Sequence, residues 1–288
     1  TGPININHDY SDSMAERDSG FIQIYAENNQ EAYDNYLQAH RIAETKDVRL
    51  PVMICEDGYI TSHALENIEL ESDEDVKAFV GEYKPENYLL KSENPLAVGP
   101  YGVSGYYMEA RVAQAEAMKN AKRAILEVAK DFEEKFGRKY GFFEEYKMED
   151  AEIAIVLMGS SAGTAKACVD ELRKENIKAG LIKVRVFRPF PGEELAKALE
   201  NCKAVAVLDK SEGFSANGGP LFAETASAMI NMDKRPKMVD IVYGLGGRDF
   251  TVDSARRVFN RLLNIVKTGD IGPVYSHMGQ RDLRKEVQ

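Results

Sequence analysis

The segment Glu152–Met158 reads EIAIVLM and decides the fold. It is short, apolar and rich in branched side chains, as a strand buried on both faces must be, and a helical stretch follows it. The same strand-then-helix pattern recurs before residue 267. The further strands are expected at Gly180–Phe187, Ala204–Leu208 and Met238–Tyr243, and the helices at Gly163–Glu175, Glu193–Glu200, Pro220–Met232 and Val252–Val266. Consecutive βα units predict a doubly wound α/β domain with a parallel sheet.

A strand–helix–strand pattern near the start predicts a second α/β unit. Phe21–Tyr25 alternates apolar and polar side chains, Asn28 is suited to cap a following helix, and Leu50–Cys55 is a compact apolar run. Two such strands joined through a helix predict parallel pairing. The helix is expected to bury the side chains that recur at helical spacing, namely Ala32, Tyr36, Ala39 and Ala43.

The stretch between these two units has a different texture. Residues 66–110 are first acidic and then rich in glycine and proline, which is typical of a linker that crosses a surface. One long helix is expected from Glu109 to Phe136, with Gly137 ending it. Its apolar stripe comprises Val112, Ala115, Ile125, Val128, Phe132 and Phe136. After Lys267 no periodicity remains, so that tail is expected to lie on a neighbour or to stay mobile.

Composition excludes several classes of function. The 288 residues carry 37 Lys and Arg against 47 Asp and Glu, a net charge of −10, which argues against nucleic-acid binding. The apolar runs fall short of the roughly 18 residues of a membrane span. Three dispersed cysteines without a CxxC pair, and scattered histidines, argue against disulfides and against a metal site in this chain alone. Because the sequence begins with Thr1, a processed, trimmed or incomplete chain is expected.

Ligands of open α/β sheets bind at the carboxyl ends of strands, so the loops there are candidate sites. Gly159–Thr164 follows the first strand of the regular region and fits either a phosphate at a helix N-terminus or simple close packing. Two further glycine-rich loops, Gly213–Pro220 and Gly244–Asp249, fit either an interface or tight turns. Val186–Pro191 reads VFRPFP and fits a plug for a partner's groove or, preferably, a cap on its own core.

The most highly charged loop, His8–Gly20, leads directly into the first strand. Its Arg17 offers a planar fork of donors that suits a carboxylate or a phosphate. Asp12 or Asp18 could orient that fork, or could form a surface ion pair of little consequence.

Several segments together carry a resemblance to a known family. They are SDSMAERDSGFIQIYAENNQEAYDN, LPVMICEDGYITSH, VRVFRPFP, DKSEGFSANGGPLFAE and YGLGGRDFT. In this order they resemble the alpha subunit of multi-subunit pyruvate:ferredoxin oxidoreductase (pyruvate synthase). The resemblance implies an α/β fold with a partial thiamine-diphosphate pyrimidine-binding-type domain over residues 1–90. It further implies a linker and long helix over 91–144, and a transketolase C-terminal-like doubly wound domain over 145–288.

The resemblance also implies the chemistry. Pyruvate is oxidatively decarboxylated with coenzyme A to acetyl-CoA and CO2, electrons pass to ferredoxin, and the reverse synthesis uses the same parts. Thiamine diphosphate with Mg²⁺ would be shared with a partner subunit, and 4Fe–4S clusters would lie on partner subunits. The implied partners are a thiamine-diphosphate and cluster subunit, a gamma subunit, a ferredoxin-like subunit and ferredoxin itself, in the cytoplasm.

For the site, the resemblance implies that Arg17 pairs with the substrate carboxylate. Asp12 and Asp18 are expected around it, while His8 and His63 are weaker candidates that rest on loop position. The family's first strands, with the glutamate that hydrogen-bonds the pyrimidine ring, have no counterpart here, so the chain is expected to be a fragment or to have that part on another chain. No residue is assigned to the cofactor.

Three alternatives remain open. The chain could belong to an oxidoreductase for another 2-oxoacid, such as 2-oxoglutarate, a branched-chain acid, an aryl pyruvate or oxalate, because one arginine reads only the carboxylate. It could be a non-catalytic structural subunit whose glycine-rich loops bind other chains. It could also bind a nucleotide through Gly159–Thr164.

Overall fold

The chain folds around two β-sheets in the computed structural model, which describes residues 4–281. The helices are α1 (Ser11–Ala15), α2 (Asn29–Glu44), α3 (Asp73–Val80), α4 (Tyr107–Phe136), α5 (Ser161–Lys174), α6 (Gly192–Leu199), α7 (Pro220–Ala228) and α8 (Val252–Thr268). The strands are β1 (Ile22–Tyr25), β2 (Val52–Cys55), β3 (Phe143–Tyr146), β4 (Ile153–Met158), β5 (Ala179–Val184), β6 (Val186–Arg188), β7 (Ala204–Asp209), β8 (Lys237–Val242) and β9 (Tyr275–His277).

The larger sheet has six strands in the order β3-β5-β4-β7-β8-β9. Its strands are parallel except for β3, which pairs antiparallel with β5. Apolar side chains of α5 and α8 cover one face, and those of α6 and α7 cover the other. Strands buried on both faces read as unbroken apolar runs, and the sequence predicted them for that reason. The doubly wound α/β domain is therefore confirmed.

The smaller sheet has three strands in the order β2-β1-β6. Strands β1 and β2 are parallel, as predicted, with Ile22 opposite Val52 and Tyr25 opposite Cys55. Strand β6 runs antiparallel to β1 and comes from much later in the sequence. The prediction of one strand over Gly180–Phe187 was therefore wrong. The chain breaks at Arg185, whose side chain is buried, and passes there from the larger sheet to the smaller one.

Helix α2 begins as predicted, because Asn28 accepts a hydrogen bond from Glu31 N at 2.9 Å. The expectation for its apolar face was right for Ala39, which is buried, and wrong for Tyr36, which is 58% exposed, while Ala32 and Ala43 are only partly buried. Its buried residues are Glu31, Asp34, Asn35, Leu37, Gln38, Ala39 and Ile42. Polar side chains are buried because cationic partners from distant segments meet them, and apolar periodicity carries no sign of those partners.

Three other expectations needed correction. The acidic linker contains helix α3, capped by Ser72, with Phe79 buried against Phe132 of α4. The long helix α4 ends at the left-handed Gly137 as predicted, but Val112 and Ala115 in its early turns are exposed. The tail after Lys267 forms β9, because its backbone pairs with the open edge of β8. Residues 1–3 of the predicted domain 1–90, and residues 282–288 of the predicted domain 145–288, lie outside the described residues.

Among the described helices, none is both long enough and apolar enough to cross a lipid bilayer. The three cysteines are free thiols, and burial raises the pKa of Cys168 and of Cys202 to about 11.

Candidate functional site

Asp12 lies in helix α1, Arg17 and Asp18 follow that helix, and hydrogen bonds hold the helix beside β1. The side-chain amide of Gln23 donates to Ser13 O at 2.7 Å, and the hydroxyl of Tyr25 donates to Ser13 Oγ at 2.8 Å. These two hydrogen bonds fix the middle of α1 beside the strand. Arg17 follows α1 and therefore lies near the amino-terminal end of β1.

The Arg17 side chain folds back on its own helix. Its Nη1 donates to Met14 O at 3.0 Å, and its Nε lies 3.6 Å from Asp18 Oδ2. The side chain remains 39% exposed. A guanidinium has five N–H donors in a planar fork, so this arrangement can accept a small carboxylate from solvent while one donor stays on the helix.

The two predicted aspartates take different positions. Asp12 Oδ1 accepts a hydrogen bond from the backbone of Ser13 at 2.6 Å, in the first turn of α1. Asp18 is exposed and lies between two arginines, with its Oδ1 3.3 Å from Arg188 Nη2. Within residues 4–281, Asp18 and not Asp12 lies within ion-pair distance of Arg17.

Neither candidate histidine lies with Arg17. His63 is exposed, stacks on Tyr59 at a ring separation of 4.4 Å and contacts the hydroxyl of Ser62. His8 belongs to a separate group of side chains on the carboxyl-end side of the strands.

That group, the Asp57 cluster, consists of His8, Asp57, Ser160 and Lys210. Asp57 follows β2, Ser160 follows β4 and Lys210 follows β7, so three strand ends converge on one buried carboxylate. Lys210 Nζ donates to Asp57 Oδ2 at 2.9 Å and lies 2.8 Å from His8 Nε2. The backbone N–H of Ser160 also donates to Asp57 Oδ2, at 2.9 Å. Strands of both sheets are thereby joined through one ion pair.

The charges of the Asp57 cluster depend on one another. Burial disfavours ionisation of Asp57, but the charge of Lys210 and the hydrogen bond from Ser160 outweigh it and lower the pKa of that carboxyl. Burial lowers the pKa of Lys210, and the Asp57 carboxylate opposes this. Burial, followed by the charge of Lys210, lowers the pKa of His8. The cluster therefore favours an ionised Asp57 beside a neutral His8.

The phosphate interpretation of Gly159–Thr164 is not supported, because the protein's own carboxylate occupies that position. The amide of Ser160 that would meet a phosphate donates to Asp57. Gly159 has φ +71°, and a Cβ there would lie 1.8 Å from the hydroxyl of Tyr10. The loop is small because Tyr10 and Asp57 pack directly on it.

The other two glycine-rich loops are also occupied by residues of this chain. A Cβ on Gly219 would lie 2.3 Å from Cγ of Asp209, whose carboxylate accepts hydrogen bonds from the first N–H groups of α7. A Cβ on Gly247 would lie 2.6 Å from Asn7, because the segment before α1 lies across that turn. Close approach within the chain explains these glycines.

The VFRPFP motif caps the core, as preferred from the sequence. Phe187 is fully buried and Phe190 packs against the same core, with their rings 5.8 Å apart.

A thiamine diphosphate site needs a metal bound to acidic ligands beside the diphosphate. Within residues 4–281, no three His, Cys, Asp or Glu side chains form a group that could hold a metal ion. The described residues therefore do not by themselves fit a metal–diphosphate group. They do fit a small carboxylate, at Arg17.

Sequence reasoning missed Asp57 and Lys210. Glu56-Asp57-Gly58 and Asp209-Lys210-Ser211 each follow a compact apolar run directly. A polar group at the carboxyl end of a buried parallel strand is the signal that could have found them.

Comparison with known proteins defines the class first. Residues 151–255 match the pyruvate:ferredoxin oxidoreductase core domain II, and residues 1–130 match the thiamine-diphosphate-binding domain of pyruvate flavodoxin/ferredoxin oxidoreductases. A solved 2-oxoglutarate:ferredoxin oxidoreductase from Magnetococcus marinus, with 2-oxoglutarate, coenzyme A and succinyl-CoA bound, has the same fold. Its TM-score is 0.57 at 15% identity, over 92% of this chain and 47% of that one. The chain is thus an α/β protein of the 2-oxoacid:ferredoxin oxidoreductase class.

Curated relatives narrow the assignment. Pyruvate synthase subunit PorA of Thermotoga maritima is 50% identical over 264 residues, which cover 92% of this chain and 67% of the relative. PorA of Methanocaldococcus jannaschii is 44% identical over 91% of this chain and 67% of its own length. Ketoisovalerate oxidoreductase subunit VorA of Pyrococcus horikoshii is 43% identical over 93% and 68%, respectively. The chain belongs to the pyruvate:ferredoxin oxidoreductase family.

Proposed function

We propose that this chain is the alpha subunit of a pyruvate:ferredoxin oxidoreductase, which converts pyruvate and coenzyme A to acetyl-CoA and CO2 or runs the reverse synthesis. The observation that carries the proposal is the 50% identity to a pyruvate synthase subunit across 92% of this chain. Its residues 1–90, 91–144 and 145–288 act as the later part of the pyrimidine-binding-type domain, the linker with its long helix, and the transketolase C-terminal-like domain.

Within that enzyme, Arg17 binds the carboxylate of the 2-oxoacid, and Asp18 holds the guanidinium fork from one side. Two observations support this role. The guanidinium is anchored by its hydrogen bond to Met14 O, and the side chain is still 39% exposed. A charged, partly pre-oriented donor group fixes the acid end of a substrate while the reacting carbon faces the cofactor. Asp12 supports the arginine indirectly by shaping the first turn of α1.

The cofactors are shared with other subunits. Thiamine diphosphate and its Mg²⁺ lie where this chain meets a partner subunit, and the 4Fe–4S clusters lie on partners that pass electrons to ferredoxin. When bound, thiamine diphosphate would supply the carbanion chemistry that 2-oxoacid decarboxylation needs, while Arg17 would hold the acid end of the substrate. The gamma and ferredoxin-like subunits complete the assembly, which works in the cytoplasm.

A second candidate is an oxidoreductase for branched-chain 2-oxoacids. It is supported by the 43% identity to a ketoisovalerate oxidoreductase subunit over 93% of this chain. The guanidinium of Arg17 does not discriminate between the two acids, because both present the same carboxylate.

The test uses the assembled enzyme purified with its partner subunits. Arg17→Ala is expected to raise the KM for pyruvate and to lower kcat/KM by about 10- to 100-fold, the value of a charged hydrogen bond. The KM for coenzyme A and the yield of complex are expected to stay unchanged. Arg256→Ala, at a partly buried arginine of α8 that pairs with Glu171 and Glu175, is the matched control. If Arg17→Ala impairs only assembly, the chain is a structural subunit.

A panel of 2-oxoacids separates the two candidates. The assembled enzyme with Arg17 intact is assayed with pyruvate, 2-oxoisovalerate and 2-oxoglutarate, and kcat/KM is compared between the three acids. A preference for pyruvate is expected, and a preference for 2-oxoisovalerate would assign the branched-chain enzyme instead.

A further inference from the structure

Arg188, in the FRPFP motif, contacts the backbone of Arg17. Its Nε donates to Arg17 O at 3.0 Å, although the two residues are 171 positions apart. Its Nη2 donates to Glu224 Oε1 of α7 at 2.7 Å and lies 3.3 Å from Asp18 Oδ1. One side chain therefore connects the substrate-binding segment to a helix of the larger domain.

The position of Arg188 is itself rigid. It ends β6, pairs with Gln23 of β1, and its guanidinium lies 4.6 Å from the ring centre of the buried Phe187. Its Nη1 also donates to Phe187 O. The side chain is only 13% exposed, so its bonds to Arg17 O and Phe187 O are partly sheltered from water, whereas its contact with Asp18 is exposed. A sheltered guanidinium with several partners in one plane holds its neighbours more firmly than a surface ion pair does.

The Arg17 segment is thereby held from two directions. The start of α1 is anchored through Tyr10 N, which donates to Lys210 O at 2.8 Å. Arg17 and Asp18, which lie two and three residues beyond the end of α1, are anchored by Arg188. Helix α1 has only five residues and no side-chain cap, and its middle is held by Gln23 and Tyr25, so the segment beyond it depends on the second anchor.

We propose that Arg188 is a positioning residue for substrate binding: it sets the place of Arg17 by fixing the Arg17 carbonyl and Asp18 against α7. The inference rests on the proposed role of Arg17 in binding the 2-oxoacid. Arg188 does not touch the substrate and acts through Arg17. Lysine cannot replace it fully, because a single ammonium lacks the fork that reaches Arg17 O and Glu224 together.

A double-mutant cycle in the assembled enzyme tests the proposal. Arg188→Gln is expected to raise the KM for pyruvate about tenfold, since a misplacement of about 1 Å can cost up to about 10²-fold. The KM for coenzyme A is expected to stay the same. Combined with Arg17→Ala, Arg188→Gln is expected to add nothing further, because its effect passes through the residue already removed. Additive effects of the two substitutions would overturn the proposal.

A second variant, Arg188→Lys, keeps the test decisive if Arg188→Gln does not fold or assemble. Arg188→Lys keeps a positive charge at the site, and we expect it to restore part of the pyruvate KM and to show the same lack of additivity. If Arg188→Gln fails to assemble, the cycle with Arg188→Lys decides by the same criterion. A fall in kcat with every KM unchanged would indicate lost active sites and would also overturn the proposal.

The outcome for the proposed function is separate. If Arg17→Ala alone leaves the pyruvate KM unchanged, the role of Arg17 is wrong. If Arg17→Ala raises that KM while the Arg188 variants do not, only the positioning role is wrong.

Discussion

Helices α2 and α8 have nearly the same length, 16 and 17 residues, yet they bury opposite kinds of surface. Helix α8 packs Ala255, Val258 and Leu262 on the larger sheet, as its periodicity predicts. Helix α2 buries Glu31, Asp34, Asn35 and Gln38 beside only a few apolar side chains. The comparison shows that a buried helix face need not be apolar if distant residues supply its partners.

The polar partners of the buried α2 side chains come from the segment after the long helix α4 and from β5. Arg138 pairs with Asp34 at 2.6 Å, and Tyr140 donates to the same carboxylate. Lys183 lies 3.0 Å from Glu31, and burial opposes its charge, but Glu31 and Glu27 outweigh burial and raise its pKa. Apolar burial is non-directional, whereas each of these contacts requires a particular donor in a particular place.

The largest effect is expected from Arg185→Met on the polar side. Arg185 is buried and donates to Asn35 Oδ1 at 2.8 Å, Gly141 O at 3.0 Å and Gln38 Oε1 at 3.2 Å. Without this side chain the buried acceptors have neither a protein donor nor water to bind. The free energy of unfolding should therefore fall by about 3 to 5 kcal/mol. Chemical denaturation measures the loss. Arg185→Lys should lower the free energy of unfolding by most of the same amount. A decrease under about 1 kcal/mol for Arg185→Met would contradict the comparison.

A smaller effect is expected from Leu262→Met on α8. Leu262 is fully buried among apolar side chains, and methionine has a similar volume and adapts to its surroundings. The free energy of unfolding should fall by less than about 1.5 kcal/mol, whereas Leu262→Ala should cost about 2 to 5 kcal/mol. The two substitutions are compared by the same denaturation assay. If Leu262→Met costs as much as Arg185→Lys, the two faces do not differ in tolerance.

The smallest effect is expected from pH at the Asp57 cluster, a second polar contact between the sheets. The pKa of His8 in the folded protein is lowered from its ordinary 6.5, so below that pH the unfolded chain binds the proton more readily. The contribution of His8 to stability is therefore lost as the pH falls below 6.5, and that of Asp57 at lower pH. Burial raises the pKa of Asp209 and of Asp240, which contribute in the opposite direction.

Unfolding measured at about pH 7.5 and about pH 5.5 checks this, with His8→Gln as the variant that cannot titrate. The decrease in stability between the two pH values should be smaller in His8→Gln than in the original protein. Equal decreases would assign the pH dependence to other groups.

Much of the fold follows from the sequence, because the strands of the larger sheet are buried on both faces. EIAIVLM and AVAVL lie where expected, and so does the strand ending in Tyr25. The break at Arg185 could not be predicted, since a charged residue inside an apolar run gives no sign that its partners are Asn35 and Gln38, about 150 positions away.

The candidate site also has a part that the sequence indicated and a part that it did not. The Arg17 loop was proposed as a site because charge is concentrated before a strand, and the family resemblance implied a role for that arginine, which stays a prediction. The Asp57 cluster was missed, because its members lie 103 and 153 positions apart. Arg188 was read only as part of an aromatic motif, and its bond to a backbone carbonyl depends on how the two sheets meet.

The segment before α1 lies against the larger domain: His8 O accepts from Gly247 N, and Tyr10 N donates to Lys210 O. During synthesis, residues 8–17 leave the ribosome before residues 204–247 have been joined to the chain. These contacts span about 200 positions, so closing them is entropically slow. The segment that leads to Arg17, the residue proposed to bind the substrate, therefore reaches its final contacts only after the β7–β8 region has been synthesised.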